Sequence, residues 1–145
     1  MIRRAQQAIV VLLVASASGV VAIAQIRERD TEWTAPPEAA ARLNPLAGRP
    51  ETAAGGAKLF HVRCAGCHGS DGRGASKGPD LMDPAVQAQT DGALFWKLSN
   101  GNTRAGMPTF SFLPEPQRWQ LALHLRVARR SAEGRARATG ISEAR

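Results

Sequence analysis

The sequence predicts an all-α domain whose helices are joined by long, ordered loops. Three segments carry apolar residues at helical spacing, and none alternates apolar and polar residues as a β-strand would. The stretches between them, GSDGRGASKGPD and GNTRAGMPTFSFLP, are rich in glycine and proline. Loops of this length in a small domain usually need something to organise them.

Residues 1–24 have the pattern of a targeting segment. The basic start MIRRAQQ precedes an apolar, uncharged run from Ala8 to Ala24 that contains small-x-small sites for signal peptidase. This run is at the short limit for crossing a bilayer, so we predict either a cleaved signal peptide or an uncleaved membrane anchor. Because Arg3 and Arg4 would hold the N-terminus inside, both alternatives send the rest of the chain across the membrane.

The remaining chain divides into three parts. Residues 25–51 are rich in proline and alanine, and their prolines exclude a long helix, so we predict an extended strap. Residues 131–145 are arginine-rich and lack an apolar period, which predicts a disordered basic tail. The domain itself is predicted at residues 52–130.

Two helices are predicted in the first part of the domain. One covers about Thr52 to Arg63, with Thr52 as its N-cap and with Gly56 and Phe60 four residues apart on one face. A glycine inside a helix indicates that another backbone passes close by. The second helix covers Thr90 to Asn100, begins at a threonine cap and stops before a glycine.

The third helix is predicted from about Glu115 to Arg130, and two prolines suit its first turn. Its apolar stripe consists of Trp119, Ala122, Leu123 and Val127. Only seven aromatic residues, four Phe and three Trp, are available to fill the core of the domain. A large apolar cofactor would relieve that shortage.

The chain is basic, with 19 Lys and Arg against 12 Asp and Glu and a net charge of +7. Such a surface attracts acidic partners, although a solvated basic surface explains the charge equally well. Nucleic acid is not an expected partner, because no aromatic residues are interleaved with the basic ones and the targeting segment removes the chain from the cytoplasm.

The only two cysteines lie in the stretch HVRCAGCHGSDGRG, where Cys64 and Cys67 are followed directly by His68. Three chemistries use such a cluster: a redox disulfide, a zinc site and covalently attached haem. A redox disulfide normally lies in a βαβ setting, which this sequence does not show. A zinc site needs about four ligands, and the adjacent side chains of Cys67 and His68 diverge.

The spacing Cys-x-x-Cys-His suits haem c. Each thiol adds across one haem vinyl group, and the histidine beside the second anchor then lies beneath the iron as proximal ligand. We therefore predict one haem c, attached through Cys64 and Cys67 and ligated by His68. The motif is moderately specific when it stands alone.

A second axial ligand is predicted at Met107, in the loop GMPTF. It lies 39 residues after His68, so the chain is long enough to wrap round the haem edge and return on the far side. A thioether ligand favours Fe(II) and raises the reduction potential. Met82 and His61 are weaker candidates because they lie close to His68 in the chain, and His124 because it lies among apolar helix residues.

Together these residues resemble the class I c-type cytochromes, the small single-haem electron carriers of the bacterial periplasm and of mitochondria. The resemblance covers roughly residues 52–130 and implies a small cytochrome c fold of three to five helices and long loops around one covalent haem. The matching pieces are Gly56 and Phe60, the Cys64-Ala65-Gly66-Cys67-His68 site, the Gly78-Pro79-Asp80-Leu81 loop, the Gly106-Met107-Pro108-x-Phe110 loop and the helix WQLALHLR.

The resemblance also implies roles for single residues. The Pro79 carbonyl would accept a hydrogen bond from the proximal histidine and fix its ring. Met107 would be the sixth ligand, and Phe110 is counted among the cofactor-binding residues. Relatives often place an aromatic residue near the haem in the segment that contains Trp96, so we interpret Trp96 as haem-packing. His124 departs from the family, since many relatives carry an aromatic residue there.

We therefore expect a periplasmic electron carrier, not an enzyme, that passes single electrons between partners of a respiratory or dehydrogenase chain. It would be soluble after cleavage, or tethered to the outer face of the inner membrane through residues 8–24. Its redox partners are expected to have acidic docking faces, because loop cations would ring the haem edge. These cations are Arg63, Arg73, Lys77, Lys97 and Arg104.

Two alternatives to a free carrier stay open. The first is that the chain is the haem subunit of a larger membrane or dehydrogenase complex. The less favoured alternative is a haem catalyst or sensor with a labile sixth ligand.

Overall fold

A computed structural model describes residues 33–75 and 77–142. The elements given below all belong to one compact unit that begins at residue 35. Over the described residues the secondary structure is helical, and pairing of the β type is limited to isolated bridges, such as that between Asn102 and Met107. The predicted all-α class is confirmed.

The described part of the chain contains six α-helices, more than the three to five expected. They are α1 (Pro37–Ala40), α2 (Ala53–Arg63), α3 (Ala65–His68), α4 (Pro84–Gln87), α5 (Asp91–Asn100) and α6 (Glu115–Ser142). Helices α1, α3 and α4 are single turns. Two of these turns start at a proline, Pro37 and Pro84, whose fixed φ is pre-organised for the first helical position.

The two predicted helix caps have different outcomes. Thr90 caps α5, because its hydroxyl accepts a hydrogen bond from the Ala93 N–H at 3.1 Å. Thr52 does not cap α2, and its hydroxyl donates to the Arg49 carbonyl at 2.8 Å. An N-cap needs an extended backbone, whereas residues 50–52 form a 3-10 turn that runs directly into α2.

Helices α2 and α6 cross closely at Gly56. A Cβ at Gly56 would overlap the Gln120 carbonyl and lie 2.9 Å from the Cβ of His124. The close backbone approach predicted from this glycine is therefore present. One turn further along α2, the ring of Phe60 lies 5.3 Å from that of His124, between centroids.

The buried residues form two clusters. The Cys64 cluster contains Phe60, Cys64, Leu94, Leu98, Phe110, Leu113, Leu121, Ala122 and Leu125. The Trp119 cluster contains Leu46, Ala53, Phe95, Trp119 and Leu123. Helix α5 separates the two, since Leu94 and Leu98 face the first and Phe95 faces the second.

The described end of the predicted strap is folded onto the Trp119 cluster. Buried Asn44 donates from its amide to the Trp119 carbonyl at 3.3 Å and accepts from the Leu46 N–H at 2.9 Å. Residues 35–51 also contain α1 and the start of the 3-10 turn, so they are not a simple extended segment. The targeting segment predicted at residues 1–24 lies outside the described residues.

The predicted disordered tail is wrong for residues 131–142, which continue helix α6 to Ser142. A segment without an apolar period has no apolar face to pack against the core, but it can still form a helix. Alanine and arginine are strong helix formers, and Arg129 and Glu133 form an i,i+4 ion pair at 2.7 Å. Among the described helices, none is long and apolar enough to cross a membrane.

Candidate functional site

The cysteine cluster lies where one helix ends and the next begins. Cys64 follows the last residue of α2 and precedes the first residue of α3. The His68 N–H donates to the Cys64 carbonyl at 2.9 Å, so Cys64, Cys67 and His68 occupy one helical turn. Both thiols are free, with Cys64 buried and Cys67 exposed. The turn thus brings two thiols and an imidazole together.

Electrostatics at Cys64 oppose the redox alternative. Burial, together with the smaller effect of the neighbouring Cys67, raises the pKa of the Cys64 thiol to about 11. A redox-active cysteine needs a lowered pKa so that it reacts as a thiolate. The zinc alternative needs a cluster of ligands, and the described residues contain no group of three or more His, Cys, Asp or Glu placed to hold a metal ion.

The imidazole of His68 is oriented by the loop that follows it. Its Nδ1 lies 3.0 Å from the carbonyl oxygen of Pro79. A carbonyl can only accept, so Nδ1 carries the proton and Nε2 keeps its lone pair. A neutral imidazole in this tautomer presents Nε2 to a metal.

Gly78 makes room for this arrangement. A Cβ at Gly78 would lie 2.8 Å from the Cys67 carbonyl oxygen and 2.9 Å from Nδ1 of His68. The loop backbone is also tied to the motif, because the Gly74 N–H donates to the His68 carbonyl at 2.8 Å. Only a residue without a side chain fits at position 78 between the loop and the motif.

The loop that carries Met107 is fixed to the end of α5. Asn102 and Met107 exchange two backbone hydrogen bonds, each 2.9 Å long, and the Phe110 N–H donates to the Leu98 carbonyl at 3.0 Å. Gly101 allows this close approach, since a Cβ there would lie 2.5 Å from the Pro108 carbonyl group. Its φ of 63° is also in the region that favours glycine.

The structure brings three of the predicted site residues to the same core. Half-buried Met107 packs against the Cys64 cluster, of which Phe110 is a buried member. Met82 packs against this cluster as well, with its Cε 3.0 Å from where a Cβ of Gly72 would lie. Cys64 and Met107 meet at this core, and Cys67 and His68 share the helical turn of Cys64, so the chain presents two thiols, an imidazole and a thioether. These are the groups that haem c requires, so the residues present fit this cofactor.

Trp96 is placed differently from the prediction. It lines a surface cavity of about 280 Å³ whose other walls are Ala39, Arg42, Phe95, Ser99, Glu115 and Arg118. At 100° per residue, Trp96 lies on the side of α5 opposite to Leu94 and Leu98, which face the Cys64 cluster. The interpretation of Trp96 as haem-packing is therefore not supported by its position.

The two other histidines lie on α2 and α6, outside the cysteine motif. His124 packs on Phe60 at the crossing of α2 and α6, as expected of a packed histidine. Burial lowers the pKa of His124, and the charge of nearby His61 lowers it further. His61 itself is exposed on α2.

Comparison with known proteins identifies the family. The sequence profile of the family described as cytochrome C oxidase, cbb3-type, subunit III, matches residues 51–125, just over half of the 145-residue chain. The chain belongs to the cbb3-type subunit III family. The matched residues of this cbb3-type subunit III domain include both cysteines, His68 and Met107. A search of curated proteins finds no match to the chain.

The family assignment confirms the resemblance and decides the general function. A cbb3-type subunit III domain is a c-type cytochrome domain, so the chain is an electron carrier and not an enzyme, and the family implies covalent haem c and redox protein partners. The remaining alternative of a haem catalyst is thereby set aside.

Sequence reasoning missed the residues that anchor the Met107 loop. The Asn102 side chain accepts from the Ala105 N–H at 3.2 Å and closes the turn before Met107. The Thr109 hydroxyl donates to the Ser99 carbonyl at 2.6 Å. Asn102 directly follows Gly101, and an asparagine beside a glycine is a recognisable turn signal. The contact between Thr109 and Ser99 has no local sequence signal, since it joins two elements.

Proposed function

We propose that this chain is an exported monohaem cytochrome in which His68 and Met107 are the two axial ligands. The observation that supports this most strongly is the packing of Met107 against the core that contains Cys64, with Nε2 of His68 left free by the Pro79 contact. A buried, fully ligated site suits electron transfer because no substrate has to bind at the metal.

Each residue of the site would have a separate task. Cys64 and Cys67 would form the two thioether bonds and so fix the cofactor to α3. His68 would bind through Nε2 while Pro79 keeps the ring oriented and raises its basicity. Met107 would supply a soft thioether that favours the reduced state. The bound haem supplies one-electron exchange, and the buried apolar residues of the Cys64 cluster exclude water from it.

Met107 is favoured over Met82 as the sixth ligand. Met82 belongs to the loop that orients the proximal histidine, only three residues after Pro79, and its N–H is held by the Asp80 carboxylate at 2.6 Å. Met107 comes from a separate loop that is fixed to α5. We therefore assign the second ligand to Met107, which would reach the cofactor from a segment other than the one that orients His68.

A docking surface for redox partners is supported near Cys67. Exposed Cys67 lies in the turn after α2, whose last residues Val62 and Arg63 are exposed too, Val62 by 76%. The Arg63 guanidinium lies 5.7 Å from the ring centre of Phe112, which is 63% exposed and follows the Met107 loop. An apolar patch with a cation beside it suits brief docking to an acidic face.

Periplasmic location rests on the targeting pattern of residues 1–24. An uncleaved segment would hold the domain at the outer face of the inner membrane. The description of the family as a subunit of an oxidase favours a second candidate, in which the chain is the haem subunit of a larger respiratory complex. Stable co-purification with other subunits separates this candidate from a free carrier.

The proposal is tested on purified full-length protein. We expect a pyridine haemochrome spectrum of haem c, a denatured mass increased by one haem, and a far-red absorption band of methionine-ligated ferric iron. Haem that extracts into acid acetone, a mass increase of two haems, or a high-spin ferric spectrum without the far-red band contradicts it. Fractionation of cells with N-terminal mass analysis decides export and cleavage.

A further inference from the structure

We infer that Arg118 is a positioning residue that holds the Met107 loop against helix α5 and thereby keeps Met107 at its ligating position. This inference rests on the proposed ligation by Met107, and it adds the contacts that keep Met107 in its ligating position. Arg118 is the fourth residue of α6, and its side chain contacts Leu113, Ser99 and Phe95.

Arg118 bridges the two segments that enclose the Met107 loop. Its Nε donates to the Leu113 carbonyl at 3.2 Å, at the end of the loop. Its Nη1 donates to the Ser99 hydroxyl, in the last turn of α5 just before the loop begins. One guanidinium group therefore ties the exit of the loop to its entrance.

Ser99 carries this tie into the loop itself. Its hydroxyl donates to the Phe95 carbonyl at 2.7 Å while it accepts from Arg118. Its backbone carbonyl accepts from the hydroxyl of Thr109, two residues after Met107, at 2.6 Å. Arg118 therefore holds the side chain of Ser99, and the backbone carbonyl of Ser99 holds the loop at Thr109.

The guanidinium is itself held in one orientation. Its central carbon lies 4.6 Å from the ring centre of Phe95, a buried residue one turn before Ser99. Arg42 lies on the same ring at 4.7 Å and pairs with Glu115, whose carboxylate also feels the charge of Arg118. A planar group stacked in this way presents two donors in fixed directions, which a lysine ammonium does not reproduce.

Loss of the hydrogen bonds from Arg118 to Ser99 and Leu113 affects Met107 through the loop. When Arg118 no longer joins Ser99 to Leu113, the Thr109 anchor, the turn between Asn102 and Met107 and the backbone bond from Phe110 to Leu98 still restrain the loop. Dissociation of Met107 then requires fewer interactions to break, so the form without methionine ligation is populated more easily. Hydrogen bonds from a charged donor are the stronger kind, so we expect a shift of roughly tenfold in this equilibrium.

The test compares Arg118→Lys with Arg130→Gln in the holoprotein. Arg130 is exposed on the same helix, away from the loop, and serves as the control. The far-red band of the ferric protein is followed while the pH is raised, and the midpoint of its loss is compared with the denaturant midpoint of global unfolding. We expect Arg118→Lys to lower the pH midpoint by about one unit, and Arg130→Gln to leave it unchanged.

Ser99→Ala provides the second variant, since it removes the same contact from the other side. We expect it to lower the pH midpoint as well, and the double variant with Arg118→Lys to add little, because the two residues act through one interaction. A far-red midpoint in Arg118→Lys equal to wild type overturns the inference while the proposed ligation stands. A midpoint lowered in step with global unfolding assigns Arg118 a purely structural role and overturns it too. Wild-type protein without the far-red band overturns both.

Discussion

The imidazole of His68 and the carbonyl of Pro79, eleven positions apart in the chain, form a hydrogen bond of 3.0 Å. The bond decides which imidazole nitrogen carries the proton, and it leaves Nε2 as the only nitrogen with a free lone pair. Gly78 makes the contact possible by letting the loop pass within contact distance of the Cys67 carbonyl. The orientation of His68 therefore depends on a loop as well as on helix α3.

Gly78→Ala is expected to disturb the proximal ligand. The new Cβ would lie 2.8 Å from the Cys67 carbonyl oxygen and 2.9 Å from Nδ1 of His68, so the loop or the ring has to move. We expect a changed reduction potential and a loss of about 1–3 kcal/mol in the free energy of unfolding.

Gly66→Ala is the matched control for this prediction, because nothing lies within 4 Å of the Cβ it would add in α3. The measurements are potentiometric titration and denaturant unfolding of both holoproteins. Equal potentials in Gly78→Ala and in wild type would show that position 78 tolerates a side chain.

Met107→Ala is expected to remove the proposed sixth ligand. The ferric protein should lose its far-red band, bind added imidazole, and show a lower reduction potential, because a soft thioether no longer favours the reduced state. Met82→Leu keeps the volume of a side chain on the same core and should keep the band. Absorption spectra of the two variants decide between them, and a band lost in Met82→Leu alone would assign the ligand to Met82.

The helices and the motif were predictable from the sequence because local signals encode them. The threonine cap of α5, the stop of α5 at Asn100 and the close approach at Gly56 are confirmed. Thr52 failed as a cap because the residues before it form a 3-10 turn, which is decided by packing of the preceding segment. Residues 131–142 failed because helix propensity acts even where nothing is buried.

The orientation of single side chains was less predictable. The sequence shows that Trp96 lies near the loop of Met107, but which face of α5 meets the Cys64 cluster depends on how α5 packs against α6. Arg118 has the same character, since its partners Ser99 and Leu113 are brought together only in the folded chain. Contacts between elements that are far apart in the sequence produce no regular residue spacing from which they could be predicted.

Gly56→Ala is expected to destabilise the crossing of α2 and α6. Its Cβ would overlap the backbone carbonyl of Gln120, which has little freedom to move inside α6, so we expect a loss of about 1–3 kcal/mol in the free energy of unfolding. Gly134→Ala is the opposite case, because its Cβ meets nothing within 4 Å in the helical extension of α6.

Replacing a helical glycine in open space should leave global stability unchanged or raise it by about 0.5–1 kcal/mol. Guanidinium unfolding of the two holoproteins measures both effects. A Gly56→Ala variant as stable as wild type would mean that α2 and α6 can separate without cost.

Arg63→Glu is expected to slow docking of an acidic redox partner. Arg63 lies beside exposed Phe112, and reversing its charge replaces attraction by repulsion at the patch. The bimolecular rate constant should fall severalfold at low ionic strength, and the difference should shrink as salt is added. Stopped-flow kinetics of Arg63→Glu and Arg130→Glu make the comparison, and a larger effect at Arg130 would place docking on α6.

The stability of the protein is expected to fall in mild acid because of His124. Burial holds the pKa of His124 below its ordinary value of 6.5, and the charge of His61 adds to this effect. As the pH falls through 6.5, the unfolded chain takes up a proton that the folded protein does not, so the free energy of unfolding decreases until the folded pKa is reached.

His124→Phe keeps a ring against Phe60 and should remove this part of the pH dependence. The measurement is denaturant unfolding of wild type and variant about one pH unit above and below 6.5. His61→Gln should reduce the dependence only in part, since burial is the larger cause, and an unchanged slope in His124→Phe would assign the acid sensitivity to other groups.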